Sequence, residues 1–282
     1  MILPGPDYPA PAKLNLFLHV VGRRPDGYHL LQTAFRFVDY ADFLRFRVRP
    51  DGLIVRINPL PDIAESDDLC VRAARALAQA SGSMLGADIE IDKRIPLGGG
   101  LGGGSSDAAT TLLVLNKLWE TGLSRAALQG IALTLGADVP VFVFGQSSFA
   151  EGVGELLQPI VLPAAWYVVL IPPAGVSTAA IFAAAELTRN TKPIKLTAFS
   201  AGIGLLNDLQ PVVEKRYSEV ARYLDWLRQF GDARMTGSGA CVFCAFTSEP
   251  AAREVLRALP SEVNGFLAAG LDRHPLREFA HD

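Results

Sequence analysis

The sequence has few cysteines, and their number and spacing exclude a disulfide framework. The three are Cys70, Cys241 and Cys244, an odd and sparse set unlike that of small secreted domains. Cys241 and Cys244 have the spacing of half a zinc knuckle, but no second Cys/His pair with ligand spacing follows them. Because valine, phenylalanine and alanine surround these two thiols, we expect them to be packed inside a buried strand.

The sequence also lacks an excess of one charge and any long apolar run. Its 26 Lys and Arg residues and 29 Asp and Glu residues give a formal net charge of -3, so binding to nucleic acid has no electrostatic support. The apolar stretches are far shorter than the ~20 residues that a membrane span needs. Residues 1–6 have neither the basic nor the apolar region of a signal peptide. We therefore expect a cytoplasmic protein with no nucleic-acid or membrane partner.

What the sequence does contain is enough apolar material for a large core. Of its 282 residues, 50% are hydrophobic, and a chain of this length predicts two domains around one cleft. The periodic pattern of apolar residues becomes irregular near residues 158–163. The predicted boundary is therefore near residue 160, which gives domains 1–160 and 161–282. Strands and helices in mixed order predict an α+β fold.

Alternation and helical spacing of apolar residues predict the individual elements. The predicted strands are residues 14–19, 34–49, 53–57, 87–91, 141–144, 166–171, 241–246 and 263–269. The predicted helices are residues 67–80, a helix that begins near residue 105, residues 125–135, helices within 178–229, and residues 249–258. A turn is expected at residues 24–27, and Ser105 or Ser106 is expected to cap the helix that follows the glycine-rich segment. The buried face of that helix is predicted to carry Ala108, Leu112, Leu115 and Trp119.

The strongest local feature is that glycine-rich segment, which has six glycines in seven positions. Glycine reaches positive φ at little cost and lets a ligand approach the backbone closely. The helix behind the segment offers unpaired N–H groups and a partial positive charge, which favour a phosphate. Because the same helix end carries Asp107, whose charge would repel a phosphate, we expect that side chain to point away. The residues predicted to hold ATP phosphates are Pro96, Leu97, Gly98, Gly99, Gly100, Leu101, Gly102, Gly103, Gly104, Ser105 and Ser106.

Three other interpretations of the segment compete with this one. A Walker A loop would end in Gly-Lys-Ser/Thr, and this segment has no lysine. Gly98, Gly100 and Gly103 match the dinucleotide pattern G-x-G-x-x-G, but any glycine run does so. A dinucleotide fold would have the loop early in its βαβ unit and an acidic residue at the end of the next strand, whereas a second helix follows at Arg125. A flexible surface loop is disfavoured by the amphipathic helix directly behind the segment.

Two charged residues are candidates for the chemistry. Lys13 begins the first predicted strand, and Asp138 lies between apolar segments just before a proline. A carboxylate in such a place is costly unless it is paired, and a lysine beside it would keep it ionised as a base for a hydroxyl proton. Taken alone, each residue is as readily a helix cap or a surface charge as a catalytic group. A further glycine cluster at residues 235–240, which includes Gly239, is either a turn or part of the wall of the site.

These segments together resemble the three motifs of the GHMP kinases, a family of galactokinase, homoserine, mevalonate and phosphomevalonate kinases. The segments are residues 11–15 (Pro-Ala-Lys-Leu-Asn), 96–109 and 236–240. Residues 24–29, 98–106, 135–142 and 150–155 resemble, more narrowly, the member that phosphorylates a cytidine diphosphate-linked polyol for isoprenoid synthesis by the non-mevalonate route. The resemblance extends from about residue 8 to about residue 276.

The resemblance implies a ribosomal-S5-like N-terminal domain, a ferredoxin-like C-terminal domain, and ATP and Mg²⁺ as cosubstrates. It implies that Asp138 is the base for the C2 hydroxyl of the substrate and that Lys13 orients and stabilises it. The γ-phosphoryl group would then be transferred in line. The resemblance does not specify whether the protein is a monomer or a homodimer.

Further roles are also implied by the resemblance alone. Tyr28 and His29 would hold the cytosine ring, with Phe182 stacking from the other domain, and Asn15 would contact the substrate near the reacting hydroxyl. The residues implied near the adenine are Lys93, Asp68, Leu69 and Cys70. The family often has asparagine where this chain has Asp68 and Asp107.

Two rival functions remain open at this point. Another GHMP kinase, of the homoserine or mevalonate type, would have no need of the Tyr28-His29 pair. A catalytically inactive member that only binds a nucleotide would have no need of Lys13 and Asp138, both of which are present.

Overall fold

The structure, a computed structural model, describes residues 3–58, 63–200, 202 and 204–282. Within these residues ten strands form one sheet in the order β3-β4-β2-β10-β7-β9-β8, with β1 and β5 also paired to β2 and β6 paired to β5. The strands are β1 (Tyr8–Arg23), β2 (His29–Arg49), β3 (Ile54–Arg56), β4 (Gly86–Asp92), β5 (Ser148–Glu151), β6 (Leu156–Pro159), β7 (Trp166–Leu170), β8 (Arg234–Met235), β9 (Val242–Phe246) and β10 (Gly265–Leu271). The helices are α1 (Leu69–Ser81), α2 (Gly103–Leu118), α3 (Arg125–Leu135), α4 (Val139–Phe144), α5 (Thr178–Phe182), α6 (Leu196–Ser200), α7 (Gln210–Arg216), α8 (Ser218–Arg228) and α9 (Glu249–Arg257). The predicted α+β class is confirmed.

The first two strands form a long antiparallel hairpin that supports the site. The predicted turn joins them, and the Gly27 N–H donates to the Arg24 carbonyl over 3.0 Å. The register between β1 and β2 shifts between Pro11 and Lys13. Such irregularities re-aim side chains and release backbone groups from the ladder, and the Lys13 N–H accordingly bonds to the Leu101 carbonyl at 2.9 Å.

Helices α1 to α4 cover one face of the first-half strands. The predicted buried face of α2 is confirmed, since Ala108, Leu112, Leu115 and Trp119 all lie in the core. Asp68 caps α1 by accepting from the Cys70 N–H over 2.9 Å. The thiols of Cys241 and Cys244 are buried, as predicted.

The second half packs its helices on strands β7 to β10, and β10 joins the two halves. Gly270 and Leu271 of β10 pair with Val38 and Phe37 of β2. The chain then returns to the first half, where Leu276 and Ala280 lie in the core with α2. Arg125 at the start of α3 holds this segment by donating to the Ala280 carbonyl over 2.6 Å. The predicted division at residue 160 therefore leaves the last residues of the second domain in the core of the first.

Two predictions of local structure were wrong. Residues 141–144 belong to helix α4 rather than to a strand. Pro140 lies in the first turn of that helix and Gly145 ends it with φ 71°, and a short apolar run buried on all sides does not distinguish the two structures by its pattern. Neither Ser105 nor Ser106 caps α2, because the helix begins earlier, after Gly102, without a side-chain cap.

Among the described residues, no helix is long and apolar enough to cross a membrane.

Candidate active site

A cleft of about 450 Å³ lies between the glycine-rich segment, the start of β1 and the loop that follows β8. Its walls include Lys13, Asn15 and Asp138, together with Gly237–Gly239. Residues 96–105 line the cleft without a gap. The structure therefore brings all three predicted segments to one place.

The glycine-rich segment is held from behind by three hydrogen bonds to its carbonyl oxygens. The Gly99 carbonyl accepts from the Cys241 N–H (3.0 Å), the Gly100 carbonyl from the Thr236 hydroxyl (3.3 Å), and the Leu101 carbonyl from the Lys13 N–H (2.9 Å). The first bond within α2 runs from the Ser106 N–H to the Gly102 carbonyl at 2.8 Å. The N–H groups of Gly103, Gly104 and Ser105 therefore have no partner inside the helix. They form an anion-binding end beside the cleft.

Close packing explains why glycine is needed at two positions of the segment. Gly100 has φ 76°, and a Cβ there would lie 2.2 Å from the Thr236 carbonyl oxygen. Gly102 has φ 73°, and its Cβ would lie 3.0 Å from Phe142 and 3.1 Å from the Lys13 side chain. Residues with a Cβ avoid this backbone region, so both positions combine strain with a lack of space. The segment is a close-packed loop, which argues against the interpretation as a flexible surface loop.

Lys13 and Asp138 form an ion pair within the cleft, with Lys13 Nζ 3.3 Å from Asp138 Oδ2. The lysine side chain is 2% exposed, whereas the carboxylate is 41% exposed. Asp138 precedes α4, yet its side chain makes no capping hydrogen bond, so the carboxylate stays available to a ligand. Lys13 Nζ also donates to Asn15 Oδ1 over 2.5 Å. A buried cation thus holds a partly exposed anion, which is the arrangement that a general base requires.

Lys93, which also lines the cleft, lies between two buried carboxylates. Its Nζ is 2.5 Å from Asp42 Oδ2 and 2.8 Å from Asp107 Oδ2. Burial lowers the pKa of Lys93. Asp107 and Asp42 raise it by more than burial lowers it, so the pKa lies above its usual value. Burial raises the pKa of Asp107 to about 7, against the lowering effect of Lys93 and with a further rise from Asp42. As expected, Asp107 is not among the residues that line the cleft.

Asp68 is occupied by structural contacts. Besides capping α1, its carboxylate lies 2.7 Å from Arg56 Nη1. The next residue, Leu69, lines the cleft instead. The implied contact of Asp68 with the adenine stays a prediction.

Two of the three predicted ring-binding residues, His29 and Phe182, meet across the two halves of the chain. The rings of His29 and Phe182 have centroids 4.9 Å apart and are tilted by 33°. Phe182 and Gly239 line the cleft, whereas Tyr28 is 64% exposed. Arg189 Nε donates to His29 Nε2 over 3.2 Å, and burial, Arg189 and Arg23 lower the pKa of His29.

Sequence reasoning missed several residues that hold the site. Asp42 is fully buried in β2 and accepts from the Arg94 and Ile95 N–H groups as well as from Lys93. The sequence did not set Asp42 apart, because β2 carries several other charged residues. Nothing in the sequence pattern pointed to Thr33 or Arg189, because their partners are distant in the chain.

Two family models match this chain in the regions that build the cleft. The model described as GHMP kinases N terminal domain matches residues 68–146, which include the glycine-rich segment and Asp138. The model described as GHMP kinases C terminal matches residues 184–265, which include Thr236 and Gly239. The chain belongs to the GHMP kinases. Because members of this family use ATP as the phosphate donor, membership implies that the chain uses ATP.

The curated relatives of this chain indicate which member of the GHMP kinases it resembles. It is 65% identical to the 4-diphosphocytidyl-2-C-methyl-D-erythritol kinase of Thiobacillus denitrificans (strain ATCC 25259 / T1), an alignment that covers 96% of this chain and 98% of the relative. It is 62% identical to the kinase of the same name from Nitrosospira multiformis (strain ATCC 25196 / NCIMB 11849 / C 71), over 96% of this chain and 93% of the relative.

Solved structures of GHMP kinases have the same fold. A crystal structure of 4-(cytidine 5'-diphospho)-2C-methyl-D-erythritol kinase superposes with a TM-score of 0.81 at 33% identity, over 94% of this chain and 99% of the other. A mevalonate kinase superposes with a TM-score of 0.70 at 17% identity, over 95% and 100% of the two chains. At 17% identity, the similarity to mevalonate kinase shows only that the two chains share a fold.

Proposed function

We propose that this chain transfers the γ-phosphoryl group of ATP to the C2 hydroxyl of 4-diphosphocytidyl-2-C-methyl-D-erythritol. The observation that carries the proposal is the position of the Lys13–Asp138 pair in the same cleft as the glycine-rich segment. The names of the relatives, at up to 65% identity over nearly the whole chain, supply the substrate.

Asp138 acts as the base in this reaction. Its carboxylate takes the proton of the C2 hydroxyl while the hydroxyl oxygen attacks the γ-phosphorus, and the bond to the β–γ bridging oxygen breaks to release ADP. Lys13 pairs with the carboxylate and stabilises the negative charge that develops on the attacking oxygen. Most of the catalysis comes from positioning and charge neutralisation, as is usual for phosphoryl transfer.

The glycine-rich segment holds the triphosphate in this proposal. The free N–H groups of Gly103, Gly104 and Ser105 and the dipole of α2 favour the negative charge. Mg²⁺ bound with the phosphates would neutralise part of their charge. Within the described residues no group of three or more His, Cys, Asp or Glu side chains forms a metal site, and Mg²⁺ is commonly held by phosphate oxygens, water and one or two carboxylates. Ser105 lines the cleft, and its hydroxyl would fit this role.

His29, Phe182 and Tyr28 hold the cytosine ring. The contact between the His29 and Phe182 rings forms an aromatic surface contributed by both halves of the chain, and stacking favours a flat base. Asn15 lies beside Lys13 and contacts the substrate near the reacting hydroxyl. Lys93 and Leu69, which line the cleft, contact the adenine in this proposal.

An ATP-dependent phosphorylation assay tests the substrate directly. The purified protein is incubated with ATP, Mg²⁺ and either the cytidine diphosphate-linked polyol, the free polyol, homoserine or mevalonate, and ADP release is measured. We expect turnover with the first compound alone. Turnover with mevalonate or homoserine would support the rival GHMP activities, and ATP binding without turnover on any acceptor would support an inactive member.

A further inference from the structure

A chain of four hydrogen-bonding groups runs from the middle of the hairpin to the catalytic lysine. The Thr33 hydroxyl donates to the Phe17 carbonyl. Asn15 Nδ2 donates to Thr33 Oγ1 over 3.0 Å. Lys13 Nζ in turn donates to Asn15 Oδ1 over 2.5 Å. All three side chains are nearly completely buried, so water does not compete for these bonds.

Counting protons along this chain fixes the orientation of the Asn15 amide. A threonine hydroxyl has one proton, and Thr33 gives it to the Phe17 carbonyl, which can only accept. Thr33 Oγ1 can therefore only accept from Asn15, so the NH₂ end of the amide must face Thr33. The carbonyl end must then face Lys13, whose ammonium group has only donors.

The opposite orientation of the amide would place two sets of donors against each other. The Asn15 NH₂ group would face the Lys13 ammonium, and the carbonyl would lose its partner. The backbone of Asn15 is fixed separately, because its N–H donates to Thr236 Oγ1 over 3.0 Å, so the residue cannot relieve this conflict by moving along the strand.

We propose that Thr33 is a positioning residue for the reaction: by selecting the orientation of the Asn15 amide, it holds the Lys13 ammonium between Asn15 Oδ1 and Asp138 Oδ2. This inference rests on the proposed function, in which Lys13 and Asp138 act on the hydroxyl. Thr33 acts through Asn15 and Lys13, so its effect is on the chemical step more than on ATP binding.

Removal of the hydroxyl at nearly constant volume tests the proposal. Thr33→Val deletes both bonds, and we expect kcat to fall about tenfold, the factor of one misplaced hydrogen bond, with the Kd for ATP unchanged. Thr33→Ser restores the hydroxyl and should return kcat to within a factor of about two or three of the wild type. Should Thr33→Val fail to fold, Thr33→Ala removes the same bonds without adding volume on the side of the lost hydroxyl.

A double-mutant cycle separates this role from simple packing. If Thr33 acts through Asn15, Thr33→Val should cause no further loss of kcat in an Asn15→Ala background. Thr111→Val is a matched control. Thr111 is equally buried, and its hydroxyl donates to the Asp107 carbonyl within its own helix, so we expect unchanged kcat.

Each contrary result has a defined meaning. A wild-type kcat in Thr33→Val, a Thr33→Ser variant as slow as Thr33→Val, or losses that multiply in the double mutant would each overturn the role of Thr33. A wild-type protein that phosphorylates no cytidine diphosphate-linked polyol would instead overturn the proposed function, so the two failures are distinguishable.

Discussion

Lys13 and Asp138 lie 3.3 Å apart in the cleft, with the cation buried and the anion partly open to a ligand. The asymmetry matters because a buried lysine without a partner would be costly, whereas the exposed side of the carboxylate can accept a proton. The lysine lies within strand β1, and the aspartate precedes helix α4. The glycine-rich segment lies against the lysine, since a Cβ on Gly102 would lie 3.1 Å from its side chain.

Replacement of Asp138 should separate binding from chemistry. Asp138→Ala removes the proposed base, so we expect turnover to fall at least about a hundredfold. The Kd for ATP should stay nearly unchanged, because the phosphates are held by backbone N–H groups. Asp225→Ala, which removes an exposed carboxylate of α8, is the control. Near-normal turnover in Asp138→Ala would remove this residue from the mechanism.

A side chain at Gly102 should weaken nucleotide binding. Gly102→Val places a branched Cβ at φ 73° against Phe142 and Lys13, so the segment must shift and the N–H groups of α2 lose their alignment. We expect the Kd for ATP, measured by calorimetry, to rise about tenfold or more. Gly130→Ala in α3, where a Cβ meets nothing within 4 Å, should leave the Kd unchanged. An unaltered affinity in Gly102→Val would contradict the phosphate-binding role of the segment.

The sequence predicted those parts of the fold in which local pattern and tertiary structure agree. Glycines followed by an amphipathic helix have one reasonable structural meaning, and α2 carries the expected residues on its buried face. The strand predicted at residues 141–144 was wrong because the local pattern there does not determine the structure. A run of Val and Phe buried on all sides has no periodicity, and Gly145 and the packing against α2 and α3 decide for a helix.

The candidate site could be predicted only where a residue was unusual in its own segment. Lys13 and Asp138 were such residues, and the structure shows that they meet. Asp42 and Thr33 lie in strand β2, where their side chains have ordinary neighbours in sequence. Their roles depend on Lys93 and Asn15, which reach them only after the sheet has formed.

The buried carboxylate of Asp107 should make stability fall as pH rises. Burial raises its pKa to about 7, whereas an unfolded aspartate titrates near 3.9. Between these values the native state holds the proton that the unfolded chain has released, so the free energy of unfolding decreases with increasing pH. Asp107→Asn cannot titrate and should lose this part of the dependence.

Urea unfolding at pH 5 and pH 8 measures this contribution. Relative to the wild-type midpoint, the midpoint for Asp107→Asn should be higher at pH 8 than at pH 5, because His274 contributes equally to both proteins. Asp225→Asn on the surface should follow the wild type. Parallel pH dependences of wild type and Asp107→Asn would show that the carboxyl ionises normally in the fold.

His274 should have the reverse effect, a loss of stability in acid. The side chain is completely buried, and burial, with a smaller contribution from Arg125, lowers the pKa of His274 to about 3. An unfolded histidine takes up a proton near pH 6.5. The contribution of His274 to the free energy of unfolding is therefore fully present above pH 6.5. It is lost as pH falls towards 3, at ~1.4 kcal/mol per pH unit.

His274→Asn tests this effect without removing the local hydrogen bond. His274 Nδ1 accepts from the Leu276 N–H over 3.0 Å, and an asparagine oxygen can accept from the same group but does not titrate. At pH 5 the wild type should have lost ~2 kcal/mol relative to pH 8 through this histidine, and the variant should not show that loss. His281→Asn, which alters an exposed histidine, is the control. If urea unfolding at the two pH values gives the same difference for His274→Asn as for the wild type, His274 is not the group that limits stability in acid.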